Sequence, residues 1–492
     1  MTAPTEEDDL APKAFEVYDA ELEAELSTGR TPLVIKLLVA ATFVVILNET
    51  ITVTALPRLQ AHFGLSLETV QWVTTAFMLT MASVIPLTGW FLQRVSTRTA
   101  YATAMTLFSI GTLVAALAPS FTVIIVGRVI QASGTAVMMP LLMTTLMTVV
   151  PQSDRGRVMG SVTLAMSVAP AMGPAVSGVL LQLGSWRFIF IAVLPIAIAV
   201  GVLGLKYLEN IGEPQKLPVS WLSVLLAATG FGTFVYGITK VQPHQWHRPA
   251  LIIAAGAVVI ATFVGYQLWL QRGRTPLLDL RTLKHGTYTK SLVLMAAAFM
   301  GFFGSMILLP MYFQNVRGLT PLQSGLMVMP GGLAMGLLGP RVGKLFDKVG
   351  TRPLVIPGSI AMVALIFALS QVTVSTPYWL LIVIHVALMA SLAAIFTPVF
   401  SVGLGGLPPQ LYSHGSSLLG ALQQVAGAVG AAMLAVISVI RAETLSKHGA
   451  EPGVAFVGGM ERALEVSAVI GLVVVLMAVL LPARPEEGAQ GH

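Results

Sequence analysis

The stretch GKLFDKVGTR, residues 343–352, has a second version in the chain, GWFLQRVSTR at residues 89–98. The two share a glycine, a valine, a threonine and a final arginine, and Arg94 of one stands where Lys348 stands in the other. Each follows a long apolar run. Two copies at equivalent places indicate a chain built from two related halves. The alternative is two unrelated basic loops, since membrane topology alone favours Lys and Arg at such places.

The composition indicates a helical membrane protein. Of the 492 residues, 55% are hydrophobic and only 10% are charged, and the mean hydropathy is +0.82. Apolar runs of about 20 residues, each long enough to cross a bilayer, recur along the chain. Because these runs are continuous and do not alternate with polar residues, they exclude a β-barrel. We therefore expect an all-α polytopic membrane protein.

The hydropathy pattern predicts fourteen spans. They are predicted near 33–57, 70–92, 100–118, 121–150, 158–182, 187–207, 219–239, 250–270, 289–314, 322–342, 353–372, 376–400, 413–440 and 463–481. The two similar loops follow spans two and ten and are therefore eight spans apart. A repeat of six spans with two spans added between the copies accounts for this offset. We therefore predict two six-helix halves with spans seven and eight inserted between them.

Five segments follow from this arrangement. They are an acidic N-terminal tail (1–32), a six-helix half (33–207), two inserted helices with their linkers (208–288), a second six-helix half (289–481) and a C-terminal tail (482–492). An even number of spans places both termini on one side. Most of the 28 lysines and arginines fall on that side, which predicts cytoplasmic termini and a multi-pass protein of the inner (plasma) membrane.

Glu49 is the only acidic residue that lies deep in a predicted span, and Arg128 is the only deep basic residue. Burial disfavours a charged carboxylate and a nearby arginine favours it, so a group balanced between the two can exchange a proton. Ionisable residues inside spans often serve as proton relays or substrate counter-ions. We predict that Glu49 and Arg128 couple transport to protons. A static Glu49–Arg128 pair that only fixes helix packing is the alternative.

The chain contains no ATP-binding loop, no zinc motif and no cysteine. We therefore expect no enzyme activity, no metal and no cofactor, with energy supplied by an ion gradient, such as a proton gradient, or by the substrate's own gradient. The expected partners are a small-molecule substrate, protons and the lipid bilayer, with no nucleic acid, and the chain is expected to act as a monomer. The residues predicted to contact substrate are polar side chains in spans: Asn48, Tyr312, Gln314, Asn315, His385, Gln423 and Gln424.

Four motifs resemble those of the major facilitator superfamily, in particular its fourteen-span drug/proton antiporters. The loop at 343–352 is similar to the family motif G-x-L-x-D-R-x-G-R, whereas the loop at 89–98 has Gln93 in place of the aspartate. GRVIQASGTA (127–136) resembles the span-four motif, and APAMGPAVSG (169–178) resembles the antiporter motif of span five. The conformational residues that this resemblance implies are Gly89, Arg94, Arg98, Gly173, Pro174, Gly178, Gly343, Asp347, Lys348 and Arg352.

LNETITVTALP (47–57) is similar to the family's span-one signature, L-D-x-T-I-V-N-V-A-L-P. Asn48 stands at the usual aspartate and the acid follows at Glu49, as in the lincomycin-resistance-type subgroup. The resemblance implies a major facilitator fold and a proton-coupled antiporter that exports amphipathic or cationic drugs by alternating access. Two alternatives stay open: an exporter of an endogenous metabolite or lipid precursor with incidental drug efflux, and a proton-coupled nutrient symporter.

Overall fold

The computed structural model describes residues 32–211, 214–215, 218–243 and 245–483. These residues form helices and no strand, and fourteen of the helices are long and apolar enough to cross a membrane. The fourteen-span, all-helical prediction is confirmed. The predicted N-terminal tail up to residue 31 and the C-terminal tail from residue 484 lie outside the described residues.

We number the membrane-length helices in chain order. They are α1 (Leu33–Thr54), α2 (Trp72–Arg94), α3 (Thr97–Ala116), α4 (Phe121–Val149), α5 (Arg155–Gln182), α6 (Phe188–Tyr207), α7 (Trp221–Thr239), α8 (His247–Leu270), α9 (Gly286–Asn315), α10 (Pro321–Val349), α11 (Arg352–Ser370), α12 (Tyr378–Gly405), α13 (Tyr412–Lys447) and α14 (Pro452–Leu480). We call the face at which α1 begins and α14 ends the terminal face, and the opposite one the far face.

Three helices extend well past their predicted ends. Helix α14 begins at Pro452 instead of 463, α10 ends at Val349 instead of 342, and α13 ends at Lys447 instead of 440. The added turns carry charged residues, which end a hydropathy window without ending a helix, because a helix can continue beyond the apolar layer.

Two helix pairs join the halves: α5 packs against α10, and α2 packs against α13. Glycines let the first pair approach closely. A Cβ added at Gly343 would lie 1.9 Å from the Gly156 carbonyl oxygen, and one at Gly160 would lie 2.3 Å from the Gly339 oxygen. Small residues allow backbones to meet where no side chain would fit. The predicted conformational residue Gly343 is therefore part of this contact.

Helices α7 and α8, the predicted insertion, lie at the edge of the bundle. Helix α7 packs against α2 and also touches α13, whereas α8 packs chiefly against α7. The Ser83 hydroxyl donates to the Ala228 carbonyl at 3.0 Å, and Lys240 forms a 2.8 Å ion pair with Glu68 at the far face. The hydrogen bond to Glu68 raises the pKa of Lys240 above its ordinary value. Helix α7 therefore covers one seam between the halves.

Candidate functional site

A cavity of about 550 Å³ lies between the two halves. It is lined by α1, α2, α4 and α5 from the first half and by α9, α10, α12 and α13 from the second. Its far-face end includes Val53 and Gln314, which are exposed, and its deep end includes Thr163 and Phe400, which are buried. The cavity is therefore accessible from the far face.

Glu49 lines this cavity. Among the described residues it is the only acid that does so, and it makes no ion pair with Arg128. Arg128 is near enough for its charge to act on the Glu49 carboxylate without contact. Glu49 therefore lies at the cavity and forms no static ion pair with Arg128.

Arg128 is fully buried behind the cavity lining, where neutral groups hold it. Its guanidinium donates to Gln131 Oε1 at 2.5 Å, to Asn48 Oδ1 at 3.3 Å and to the Val73 carbonyl at 3.3 Å. The guanidinium carbon also lies 4.0 Å from the centre of the Phe77 ring. No carboxylate forms an ion pair with this guanidinium in the described part of the chain.

Asn48 lies beside Arg128 and not in the cavity lining. It is fully buried, and its Nδ2 has no hydrogen-bond partner among the described residues. An orphaned buried donor is costly, about 1–3 kcal/mol. The position of Asn48 therefore gives no support to the predicted substrate contact, and assigns it to the Arg128 network instead.

The span-five motif brings α5 against both α1 and α10. A Cβ added at Gly173 would lie 2.5 Å from Thr50 Oγ1, one residue along α1 from Glu49. The Thr54 hydroxyl bonds to the Ser177 hydroxyl. On the side of α5 that faces α10, a Cβ added at Gly325 would lie 2.7 Å from Pro174. The glycine and proline positions of this motif therefore set the distance between α1 and the rest of the cavity.

We expect Gly173→Ala to lower the free energy of unfolding by about 1–3 kcal/mol, because the added methyl group forces α5 away from Thr50. Thermal unfolding in detergent measures this. The matched control is Gly265→Ala on α8, where an added Cβ meets nothing within 4 Å. Equal stability of the two variants would contradict the close α1–α5 contact.

The second half of the chain contributes amide and imidazole side chains to the cavity lining. Four of the residues predicted to contact substrate line the cavity: Gln423, Gln424, His385 and Gln314. Gln423 Nε2 is buried without a partner among the described residues, so it can donate to a bound molecule. His385 is 4% exposed and lies against the Val328 carbonyl.

Tyr312 and Asn315 do not reach the cavity. The Tyr312 hydroxyl donates to the Thr373 carbonyl at 2.7 Å and fixes α9 to the turn after α11. Asn315 is exposed at the end of α9 and is not part of the lining. Their positions do not support the predicted role in substrate binding, because both face away from the space between the halves.

Eight methionines and five phenylalanines make up much of the lining, and sequence analysis did not single them out. The phenylalanines form a stack in which Phe299 and Phe396 are nearly parallel, with ring centroids 4.9 Å apart. Phe303 also stacks on Phe299, with ring centroids 5.9 Å apart. Aromatic faces attract cations, and methionine adapts to ligands of different shape.

Asp347 closes the terminal face on one side of the cavity. Its carboxylate, at the end of α10, accepts hydrogen bonds from the backbone N–H groups of Gly156 and Arg157 at 2.9 and 2.8 Å. These donors belong to the first turn of α5, in the other half. The free N–H groups and positive dipole of a helix start favour a carboxylate there. Asp347 therefore ties the two halves together.

Gln93 makes the equivalent contact on the other side with neutral groups. Its Nε2 donates to the Gln410 carbonyl at 2.9 Å, just before α13, and its Oε1 lies 3.2 Å from His414 Nε2. Gly89 makes room for this imidazole, since a Cβ there would lie 2.8 Å from His414 Nδ1. The two similar loops thus hold the same face by different chemistry, one charged and one neutral.

The remaining predicted loop residues support this face locally. Arg352 donates to the Leu481 carbonyl at 2.9 Å, Arg94 lies over the Trp90 ring at 5.4 Å, and the Arg98 N–H donates to Asn210 at 3.3 Å. Lys348 is exposed. In the described part of the chain, no group of three or more His, Asp or Glu side chains could hold a metal ion.

The model of the Major Facilitator Superfamily matches residues 38–431. The chain belongs to this superfamily. Bacillus subtilis has a relative called an uncharacterized MFS-type transporter, YcnB, with 35% identity covering 92% of this chain and 96% of that protein. Another is the lincomycin resistance protein LmrB of Listeria innocua, with 36% identity over 82% of this chain and 86% of that protein. The resemblance stated from the motifs is confirmed.

Two solved structures share the major facilitator fold. The human organic anion transporter MFSD10 (TETRAN) superposes with a TM-score of 0.65 at 13% identity, covering 91% of this chain and all of that one. The proton:xylose symporter XylE superposes with a TM-score of 0.64 at 15% identity, covering 91% and 95%. At these identities, the likeness supports the fold alone.

Proposed function

We propose that this protein is a proton-coupled antiporter that exports amphipathic, cationic small molecules. The observation that carries the proposal is Glu49, which among the described residues is the only acid lining the cavity between the two halves. A single carboxylate in such a place binds either a proton or a cationic substrate, because holding both would leave an uncompensated charge in an apolar site. Exchange of one for the other is antiport.

The lining favours a lipophilic cation. Five phenylalanines offer ring faces, eight methionines offer an adaptable apolar wall, and no lysine or arginine lies among the lining residues. Gln423 adds a free amide donor for an oxygen on the substrate. The relative named for lincomycin resistance supports export of a drug-like molecule.

Orientation follows from charge. The excess of Lys and Arg on the terminal-face loops supports a cytoplasmic location of that face, which we propose for a protein of the plasma membrane. With the cytoplasmic side closed by Asp347 and Gln93, the structure corresponds to the outward-facing state of an alternating-access cycle. A single chain contains both halves of the cavity, so a monomer suffices for transport.

Accumulation of a fluorescent lipophilic cation in cells distinguishes export from import. We expect cells that produce the protein to hold less dye than cells without it. Collapse of the proton gradient by a protonophore should remove that difference, because export then loses its energy source. Higher dye accumulation in the producing cells would instead support import and contradict the proposal.

A further inference from the structure

A second cavity of about 550 Å³ lies in the first half, on the outside of the helix bundle. It is a groove between α1, α5 and α6 that begins near Lys36, close to the terminal face, and runs along Phe43 and Leu47 toward the middle of the membrane. None of the residues that line it belongs to the lining of the central cavity. It is therefore a site separate from the proposed transport pathway.

The groove exists because α6 is drawn away from α5. Helix α6 packs on α3 and α1 and makes few contacts with α5. A Cβ at Gly204 would lie 2.2 Å from the Tyr101 ring, and the Tyr101 hydroxyl donates to the Val200 carbonyl at 2.8 Å. The side chains beneath the gap are small, among them Ala40, Ser161 and Ala165. The gap is thus built into the packing of the first half.

The groove is apolar except at one end. Among the described residues that line it, Lys36 is the only charged one, and its side chain is exposed. It lies three residues into α1, about 4.5 Å along the helix axis from its start, at the depth where lysine ammonium groups reach the lipid headgroups. In the described part of the chain, no ion pair joins Lys36 to an acidic side chain.

We propose that this groove binds one anionic phospholipid from the leaflet at the terminal face. An acyl chain lies along Phe43 and Leu47, and the headgroup phosphate binds the Lys36 ammonium. The same charge disfavours the cationic substrates of the central cavity, so the groove is not their entry route. All three helices belong to one half, so the lipid stabilises that half without having to leave when the halves move.

Native mass spectrometry of the purified protein with equal amounts of dioleoyl phosphatidylglycerol and dioleoyl phosphatidylcholine tests this. We expect the wild type to retain phosphatidylglycerol about fivefold better, the preference expected for one lysine near the membrane surface. Lys36→Gln should remove that preference. Lys284→Gln, a change at another exposed lysine of the terminal face, should keep it. Lipid retention is measured without transport, so it does not depend on what the protein exports.

A second variant tests the groove itself. Ala40 is exposed and lines the groove, so Ala40→Phe fills the space for an acyl chain without disturbing a buried core. We expect it to lower the retention of both lipids. Equal retention of both lipids by the wild type, an unchanged preference in Lys36→Gln, or unchanged retention in Ala40→Phe would each overturn the proposal. Retention that appears only after residues 1–29 are removed would assign the groove to the acidic N-terminal segment and overturn it too.

Discussion

Glu49→Gln is expected to abolish proton movement driven by substrate. The amide keeps the size and hydrogen-bonding capacity of the side chain but cannot take up or release a proton. Since Glu49 is the only acid among the described residues that line the central cavity, none of these lining residues can replace it. The measurement is the pH change inside proteoliposomes after addition of a lipophilic cation, with wild-type and variant protein at equal amounts.

The matched control for this variant is Glu461→Gln. Glu461 is an exposed acid on α14, far along the chain from every residue of the cavity lining. Its replacement removes the same charge and should leave proton movement unchanged. Equal activity of Glu49→Gln and the wild type would contradict the assignment of Glu49.

Asp347→Ala is expected to open the terminal face. The change removes both hydrogen bonds to the first turn of α5 and the favourable charge at its helix start. Loss of such a cap costs about 1–2 kcal/mol, which shifts the ratio of open to closed molecules by a factor of roughly 5–30. The chain has no cysteine, so one introduced at Met139 in the cavity lining reports access. Labelling by a membrane-impermeant maleimide should fall from the far face and rise from the terminal face.

Two further variants accompany this test. Lys344→Ala changes an exposed residue of the same helix and should leave labelling as in the wild type. Gln93→Leu should act in the same direction as Asp347→Ala, because it removes the hydrogen bond to the Gln410 carbonyl and the contact with the His414 imidazole. If Asp347→Ala were labelled like the wild type from both faces, its contact with α5 would have no role in closing the protein.

The number of helices and the fold could be predicted because they depend on the length and composition of apolar runs. The extra turns of α14 before 463 could not, because charged residues in a continuing helix look like a loop in a hydropathy profile. The family motif implied a conformational role for Asp347, but not its contact with the start of α5. The partner of Gln93 could not be predicted, since His414 lies 321 residues away and no pattern in either stretch connects them.

The site was predicted in part. A count of buried charges was enough to select Glu49 and Arg128, but not to say where each side chain points. Adjacent helix positions differ by about 100° around the axis, so Asn48 and Glu49 face different neighbours. The partner of Tyr312 could not be predicted either. A polar side chain in a span can form its hydrogen bond with a substrate or with a loop carbonyl, and Tyr312 bonds to the carbonyl of Thr373. Phenylalanine occurs in most apolar runs, so the sequence does not indicate that Phe299 and Phe396 stack on each other.

The central claim is that the proton-exchanging acid must face the cavity. The most direct test moves the acid by one residue, in the double variant Asn48→Asp with Glu49→Gln, which places the carboxylate beside Arg128 and outside the cavity lining. Substrate-driven proton movement in proteoliposomes is measured for this variant. We predict none, although the chain still carries one acid and one arginine at this depth. Movement equal to that of the wild type would contradict the claim.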